Sequence, residues 1–171
     1  MRKLVCLSLL VCIAFFSPAQ VLKKTAISNS GCSVYTYCTI PFEKQYSEDS
    51  SLLYVGECVK DEVSYGVICV KLLQPSGDLT KAEDMLVDYL DYLKTSFGIT
   101  KAAGYGRGNR LSSKENTRGI IDYWEDKEKN NWKIKAWTDG KFIGVLYGYS
   151  LKELPEPKLN VFLDSFRFPG M

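Results

Sequence analysis

The sequence predicts an α+β domain, in which a mostly antiparallel central sheet of about six strands is flanked by one long helix and one short C-terminal helix. Three observations lead to this fold class. The chain has 171 residues, enough for one domain at a usual size of roughly 150 residues. Hydrophobic residues make up 46% of it and charged residues 25%, a balance typical of a folded protein. Finally, runs of β-forming residues surround a single long amphipathic segment.

The first 19 residues have the pattern of a secretory signal peptide. Two basic residues precede the apolar stretch Leu4–Phe16, and small residues then allow cleavage after Ala19. The apolar stretch is shorter than the roughly 20 residues that cross a bilayer as a helix. We therefore expect an exported bacterial protein, periplasmic or extracellular. Lipid attachment at Cys12 is the alternative, which the bulky residue before that cysteine disfavours.

The charge balance argues against two classes of partner. Loss of Arg2 and Lys3 with the signal peptide leaves 20 of the 22 basic residues, which equals the 20 acidic residues. A net charge of zero gives no electrostatic reason to bind nucleic acid or an anionic membrane.

No later stretch approaches the roughly 18 consecutive apolar residues of a membrane span, so no transmembrane segment is expected after cleavage.

Histidine and cysteine content limits the chemistry of the chain. The chain has no histidine, which excludes Ser-His-Asp and Cys-His catalysis and histidine-ligated zinc. We expect no metal and no other cofactor. Four cysteines remain after signal cleavage, an even number in an oxidising compartment. One disulfide between Cys32 and Cys38 is one prediction, and four inert buried thiols are the other.

The first predicted elements are strands. Residues 20–31 show no hydrophobic periodicity and are expected to form a flexible leader, so that one domain spans residues 32–171. The segment Val34–Ile40 is rich in β-forming residues and predicts the first strand. The segments Leu52–Val59 and Val63–Leu73 predict two more. Apolar residues on both alternation sets indicate that the sheet is covered on both faces there.

A single long helix is predicted next. Thr80 and Glu83 match the capping-box pattern at its start. Apolar residues recur at helical spacing from Ala82 to Phe97, and Gly98 then ends the helix. We expect this apolar stripe to pack against the sheet.

Three strands and a short helix complete the predicted order. Gly119–Glu125 predicts the first strand, and the Asp-Gly pair at 139–140 predicts a hairpin between the other two. A two-residue turn would place Trp132 opposite Tyr147. Apolar residues at helical spacing over 159–166 then predict the short C-terminal helix.

The order of these elements resembles that of a known family. Strand, hairpin, helix, meander and short helix follow one another, and the strand Lys141–Tyr149 precedes the closing segment Phe162–Phe168. This resembles the PsbP-like family, which includes the extrinsic photosystem II protein PsbP and small secreted bacterial proteins. The resemblance implies an α/β/α sandwich with a binding or assembly role. It supplies no catalytic residues, because fold alone does not define function.

One glycine-rich stretch carries the main candidate binding residues. Gly104–Arg110 alternates glycine with larger residues, and its two arginines and exposed amides suit a carboxylate or phosphate ligand. A glycine-kinked edge strand is the structural alternative. Two tryptophans are expected to complete a groove between the sheet edge and this loop. The candidate ligand-binding residues are Tyr105, Arg107, Arg110, Trp124 and Trp137.

A second candidate consists of carboxylates beside aromatic residues. Glycosidases use paired carboxylates, one as acid and the other as base or nucleophile, which suggests Asp122 and Glu125. Strand alternation, however, places Asp122, Trp124 and Asp126 on one sheet face. Tyr123 and Glu125 fall on the other face. The pattern therefore favours packing and solvation over a joint catalytic site.

Together these observations predict a non-enzymatic exported binding or assembly module. Its ligand would be an unidentified protein, small molecule or glycan. One alternative is an inhibitor or immunity-type protein that blocks a partner enzyme through a protruding loop. The other is a hydrolase that acts through carboxylates.

Overall fold

The computed structural model describes residues 21–111 and 116–171, and the predicted signal peptide lies outside them. In chain order, the elements of the described residues are β1 (Lys23–Ala26), β2 (Ser33–Thr36), β3 (Glu43–Tyr46), β4 (Leu52–Lys60), β5 (Val63–Lys71), α1 (Leu79–Ser96), β6 (Ile99–Ala102), β7 (Gly106–Asn109), β8 (Arg118–Asp126), β9 (Asn131–Thr138), β10 (Phe142–Ser150) and α2 (Glu156–Leu163).

Eight of these strands form one antiparallel sheet. Its order is β3-β4-β5-β10-β9-β8-β6, and β7 pairs with β8 on the same side as β6. Helix α1 packs on one face of the sheet. Helix α2 packs on the other face together with β1 and β2, which form a separate two-stranded sheet. Each face therefore has its own hydrophobic core.

The predicted fold class is wrong in the size of the sheet and in what covers it. The central sheet has eight strands instead of about six, and a small second sheet shares one face with α2. Three further strands of this sheet have four residues each: β3 and β6, which were not predicted, and β7, which lies in the stretch with the glycine-kinked edge strand as its structural alternative. Such short edge strands form because a neighbouring strand offers hydrogen bonds, and their own sequences show little apolar alternation.

The segment predicted to be a flexible leader instead forms β1 and a turn. Lys24 in β1 lies opposite Tyr35 in β2. Ile27 is fully buried, and its N–H donates to the Cys32 carbonyl at 3.0 Å. The Ser30 hydroxyl donates to the Ile27 carbonyl at 2.7 Å. Because the side chains of β1 are largely exposed, the strand has no hydrophobic periodicity that sequence analysis can detect.

The predicted β9–β10 hairpin is confirmed, but its register differs. Trp132 lies opposite Tyr149 instead of Tyr147. The turn is longer than two residues, because the Asp139 carboxylate accepts hydrogen bonds from two later N–H groups at 3.0 and 2.9 Å. Gly140 has a φ of 82°, which favours glycine. A shift of two residues keeps every side chain on its predicted face.

The N-cap of helix α1 lies two residues before Thr80, the predicted one. Asp78 is the N-cap, and its carboxylate accepts from the Thr80 N–H at 2.8 Å. Gly98 follows the helix with a φ of 64°. The helix lies mainly over β8, β9 and β6. This off-centre position leaves the β3–β4–β5 side of the same face open.

The predicted disulfide between Cys32 and Cys38 is wrong. Cys38 pairs with Cys58 in β4, with the two Cα atoms 6.1 Å apart. Cys32 and Cys69 carry buried free thiols. A hydrogen bond with Cys32, together with burial, raises the pKa of the Cys69 thiol. Closeness in sequence does not decide the pairing, because β2 separates the two cysteines, with Cys32 buried before it and Cys38 bonded to β4 after it.

Candidate binding groove

The structure does not bring the sequence-predicted binding residues together. Trp124 is buried on the α1 face, where its indole N–H donates to Asp122 at 2.6 Å. Trp137 is buried on the opposite face and donates to the Leu163 carbonyl at 2.9 Å. Each indole therefore belongs to one of the two hydrophobic cores.

The glycine-rich stretch is an edge strand. β7 pairs with β8 through an irregular register between Gly106 and Asn109. The Tyr105 hydroxyl donates to Asp91 of α1 at 2.5 Å. Arg107 forms an exposed ion pair with Asp84 of α1 at 3.3 Å. Arg110 is also exposed. The structural alternative of a glycine-kinked edge strand describes this segment.

The two candidate catalytic carboxylates lie on opposite faces of β8. Asp122 is fully buried on the α1 face, 3.3 Å from the Lys94 ammonium. Glu125 projects from the other face, where Lys101 and Lys129 each approach it to 2.9 Å. Hydrogen bonds from these two lysines lower the pKa of Glu125. The arrangement predicted from strand alternation is confirmed, and it does not form a joint acid/base site.

A groove occupies the part of the α1 face that the helix leaves open. Its cavity volume is about 590 Å³. The floor is apolar and comes from the sheet: Leu53, Val70, Leu72 and Ile143. One wall is α1, with Met85, Asp88, Tyr89 and Tyr92. The opposite wall is the end of β3 with the turn that follows it, residues 45–49.

Exposed apolar side chains converge at this groove. Tyr46 is 67% exposed, Tyr92 is 64% exposed and Met85 is 37% exposed. The three belong to the two walls and border the apolar floor. Single exposed hydrophobic residues are ordinary, whereas a cluster beside a concave apolar floor is typical of a binding surface.

Both walls carry negative charge. Glu48 and Asp49 lie on the turn, and Asp88 lies on α1. Hydrogen bonds from Ser47 and Ser51 lower the pKa of Asp49, so this carboxylate is ionised at neutral pH. The described residues that line the groove include no lysine or arginine. The groove therefore combines an apolar floor with acidic edges.

Two tyrosines of α1 are stacked at the groove. The rings of Tyr89 and Tyr92 have centroids 6.1 Å apart and planes 22° apart. Burial raises the pKa of Tyr89, which keeps its hydroxyl neutral. Neutral tyrosine rings offer faces that attract cations and apolar groups alike.

This groove is not apparent from the sequence. Met85 and Tyr92 broaden the apolar stripe of the helix, and the sequence predicts that the whole stripe packs in the core. The stripe is wider than packing against the sheet requires. This extra width is the one sequence feature that indicates an exposed apolar surface on α1. No sequence feature indicates that the acidic turn at residues 47–49 belongs to a groove, because its position opposite α1 depends on the tertiary structure.

No family model matches the chain, and no curated protein matches it. Among the described residues, no helix is both long and apolar enough to cross a membrane. Within the same part of the chain, no group of three or more Cys, Asp or Glu side chains is placed to hold a metal ion.

Proposed function

We propose that this protein is an exported, non-enzymatic binding module whose ligand occupies the groove between α1 and residues 45–49. The observation that carries the proposal is the convergence of exposed Tyr46, Met85 and Tyr92 on one apolar floor. The Cys38–Cys58 disulfide is compatible with the oxidising compartment that export implies.

The dimensions of the groove support a ligand of moderate size. Its volume of about 590 Å³ lies within the range of about 300–1,000 Å³ found for ligand pockets. Covering apolar surface contributes about 25 cal/mol per Å² removed from water. A ligand that covers Tyr46, Met85 and Tyr92 therefore gains affinity from surface that the isolated protein leaves in water.

The hydrolase alternative receives no comparable support. Asp122 is buried and already accepts hydrogen bonds from several donors, among them the backbone N–H of Gly104 at 3.0 Å. Glu125 lies across the sheet with its own lysine partners. A general acid and a general base must both reach the same substrate, which these positions prevent.

The proposal is tested by NMR with a set of neutral aromatic fragments. We expect amide shifts to concentrate at Leu53, Val70 and Tyr89, and Tyr92→Ala to weaken them. The matched control is Tyr123→Ala, because Tyr123 is also an exposed tyrosine, at 45%, but belongs to the other sheet face. Shifts that cluster elsewhere, or equal effects of the two variants, would overturn the proposal.

A further inference from the structure

We propose that the occupant of the groove is a segment of a partner protein in which apolar side chains alternate with lysine or arginine. This inference rests on the proposed binding function of the groove. It adds the chemistry of the partner, which three features of the groove define.

The first feature is charge complementarity. Glu48 and Asp49 line one wall of the groove, and Asp88 lines the other. When the apolar side chains of such a segment cover the floor, the long stems of its lysine or arginine side chains let their charged heads bend back to these acidic edges. The predicted mature chain has no net charge, so the acidity is local to the groove. Local charge of this kind selects partners of opposite sign.

The second feature is the aromatic walls. Tyr46 already has an ammonium near its ring, because the Lys44 Nζ atom lies 5.4 Å from the ring centroid. A cation within about 6 Å of an aromatic centroid is attracted by the ring. The exposed ring of Tyr92 on the other wall offers the same interaction to a partner. Because Lys44 already occupies the Tyr46 ring, it is the Tyr92 ring and the acidic edges that favour the same ligand charge.

The third feature favours a polypeptide over a small cation. β3, which contributes Gln45 and Tyr46 to the groove wall, is the last strand on its side of the described sheet. The outer backbone groups of an edge strand are free to pair with an added chain. The outer edge of β3 lies on the far side of this wall from the floor, so a partner chain long enough to cross the wall can add backbone hydrogen bonds there, which a small cation cannot.

The test uses three fluorescein-labelled peptides of equal length, in which leucine alternates with lysine, serine or glutamate. Fluorescence anisotropy with the intact protein measures their affinities at low and high salt. We expect the lysine peptide to bind about tenfold more tightly than the serine peptide, because its ammonium groups pair with the carboxylates at the groove edges. Salt should reduce this difference.

Two matched double variants locate the charges. Glu48→Gln with Asp88→Asn should weaken the lysine peptide about tenfold and leave the serine peptide unchanged. Glu62→Gln with Glu153→Gln removes two exposed carboxylates outside the groove and should change neither peptide. Far-UV circular dichroism and thermal unfolding check that every variant is folded.

The other outcomes overturn the inference in distinguishable ways. Equal affinity for the lysine and serine peptides, or equal effects of the two double variants, would refute the role of charge. Binding of lysine amide as tight as that of the lysine peptide would refute a polypeptide partner. If no peptide binds while neutral fragments still bind at Leu53 and Val70, this inference fails and the proposed function stands. If the fragments do not bind either, both fail.

Discussion

The Lys94 ammonium in α1 lies 3.3 Å from a carboxylate oxygen of Asp122, whose side chain is fully buried on β8. The same carboxylate accepts hydrogen bonds from the N–H groups of Gly104 and Tyr123 at 3.0 and 2.8 Å. It also accepts from the Trp124 indole at 2.6 Å. This buried pair fixes the last turns of α1 to the sheet and so holds the helical wall of the groove in place.

Replacing Asp122 by Asn should destabilise the protein by about 3 kcal/mol, because breaking a buried ion pair leaves a partner without compensation. The asparagine side chain would also place its own N–H donor against another donor, either the Trp124 indole N–H or the Lys94 ammonium. Urea unfolding measures the change. The control is Asp84→Asn, which breaks an exposed pair with Arg107 and should cost less than about 1 kcal/mol. Equal costs for the two variants would refute this role of Asp122.

Gly66→Ala should cost about 2 kcal/mol through overpacking. A Cβ atom added at Gly66 would overlap the Tyr147 ring, which lies across this glycine. Tyr147 has little freedom to move, since its hydroxyl donates to Glu57 at 3.2 Å. Thermal unfolding measures the effect. Gly77→Ala, where a Cβ meets nothing within 4 Å, is the control and should be neutral or slightly stabilising. In a Tyr147→Ala background, Gly66→Ala should lose most of its cost.

Removal of the disulfide by Cys38→Ala with Cys58→Ala should lower the free energy of unfolding by about 3 kcal/mol. The bridge closes a loop between residues 20 positions apart and so limits the conformations of the unfolded chain. Chemical denaturation of oxidised wild type, reduced wild type and the double variant measures this. A loss in the double variant that is absent from reduced wild type would assign the effect to packing and contradict the prediction.

The Cys32 and Cys69 thiols should resist alkylation in the folded protein. Cys32 is 2% exposed and Cys69 is fully buried, and the raised pKa of the Cys69 thiol disfavours its reactive thiolate form. Mass spectrometry of peptides should find both labelled in denaturant without a reducing agent. Cys38 and Cys58 should be labelled only after reduction. A linked Cys32–Cys38 peptide would contradict the pairing described here.

Tyr65 should make the protein less stable at alkaline pH. Burial raises its pKa to about 12 from an ordinary value of 10.0. The unfolded chain therefore loses this proton before the folded chain does. The stability that Tyr65 contributes is complete below about pH 10 and falls as the pH rises toward 12. Urea midpoints at about pH 9 and about pH 11 should fall less for Tyr65→Phe than for wild type. Parallel decreases would refute the assignment to Tyr65.

Patterns within short stretches of sequence predicted the elements that contribute most to the two cores. The β9–β10 hairpin and the helix around Leu86 and Leu90 follow from apolar spacing, because that spacing matches the geometry of each element. The opposite orientations of Asp122 and Glu125 follow from strand alternation in the same way. Such features need no knowledge of the neighbouring element.

The edges, the cross-links and the groove required the tertiary structure. β3 and β7 exist because β4 and β8 offer them hydrogen bonds, and the disulfide joins Cys38 to a cysteine 20 residues away. Exposed and core positions on one helix look alike in the sequence, as Tyr92 and Leu90 do. Tyr92 lines a groove because α1 lies off-centre on the sheet. Whether a residue is buried depends on which other elements pack against the same surface.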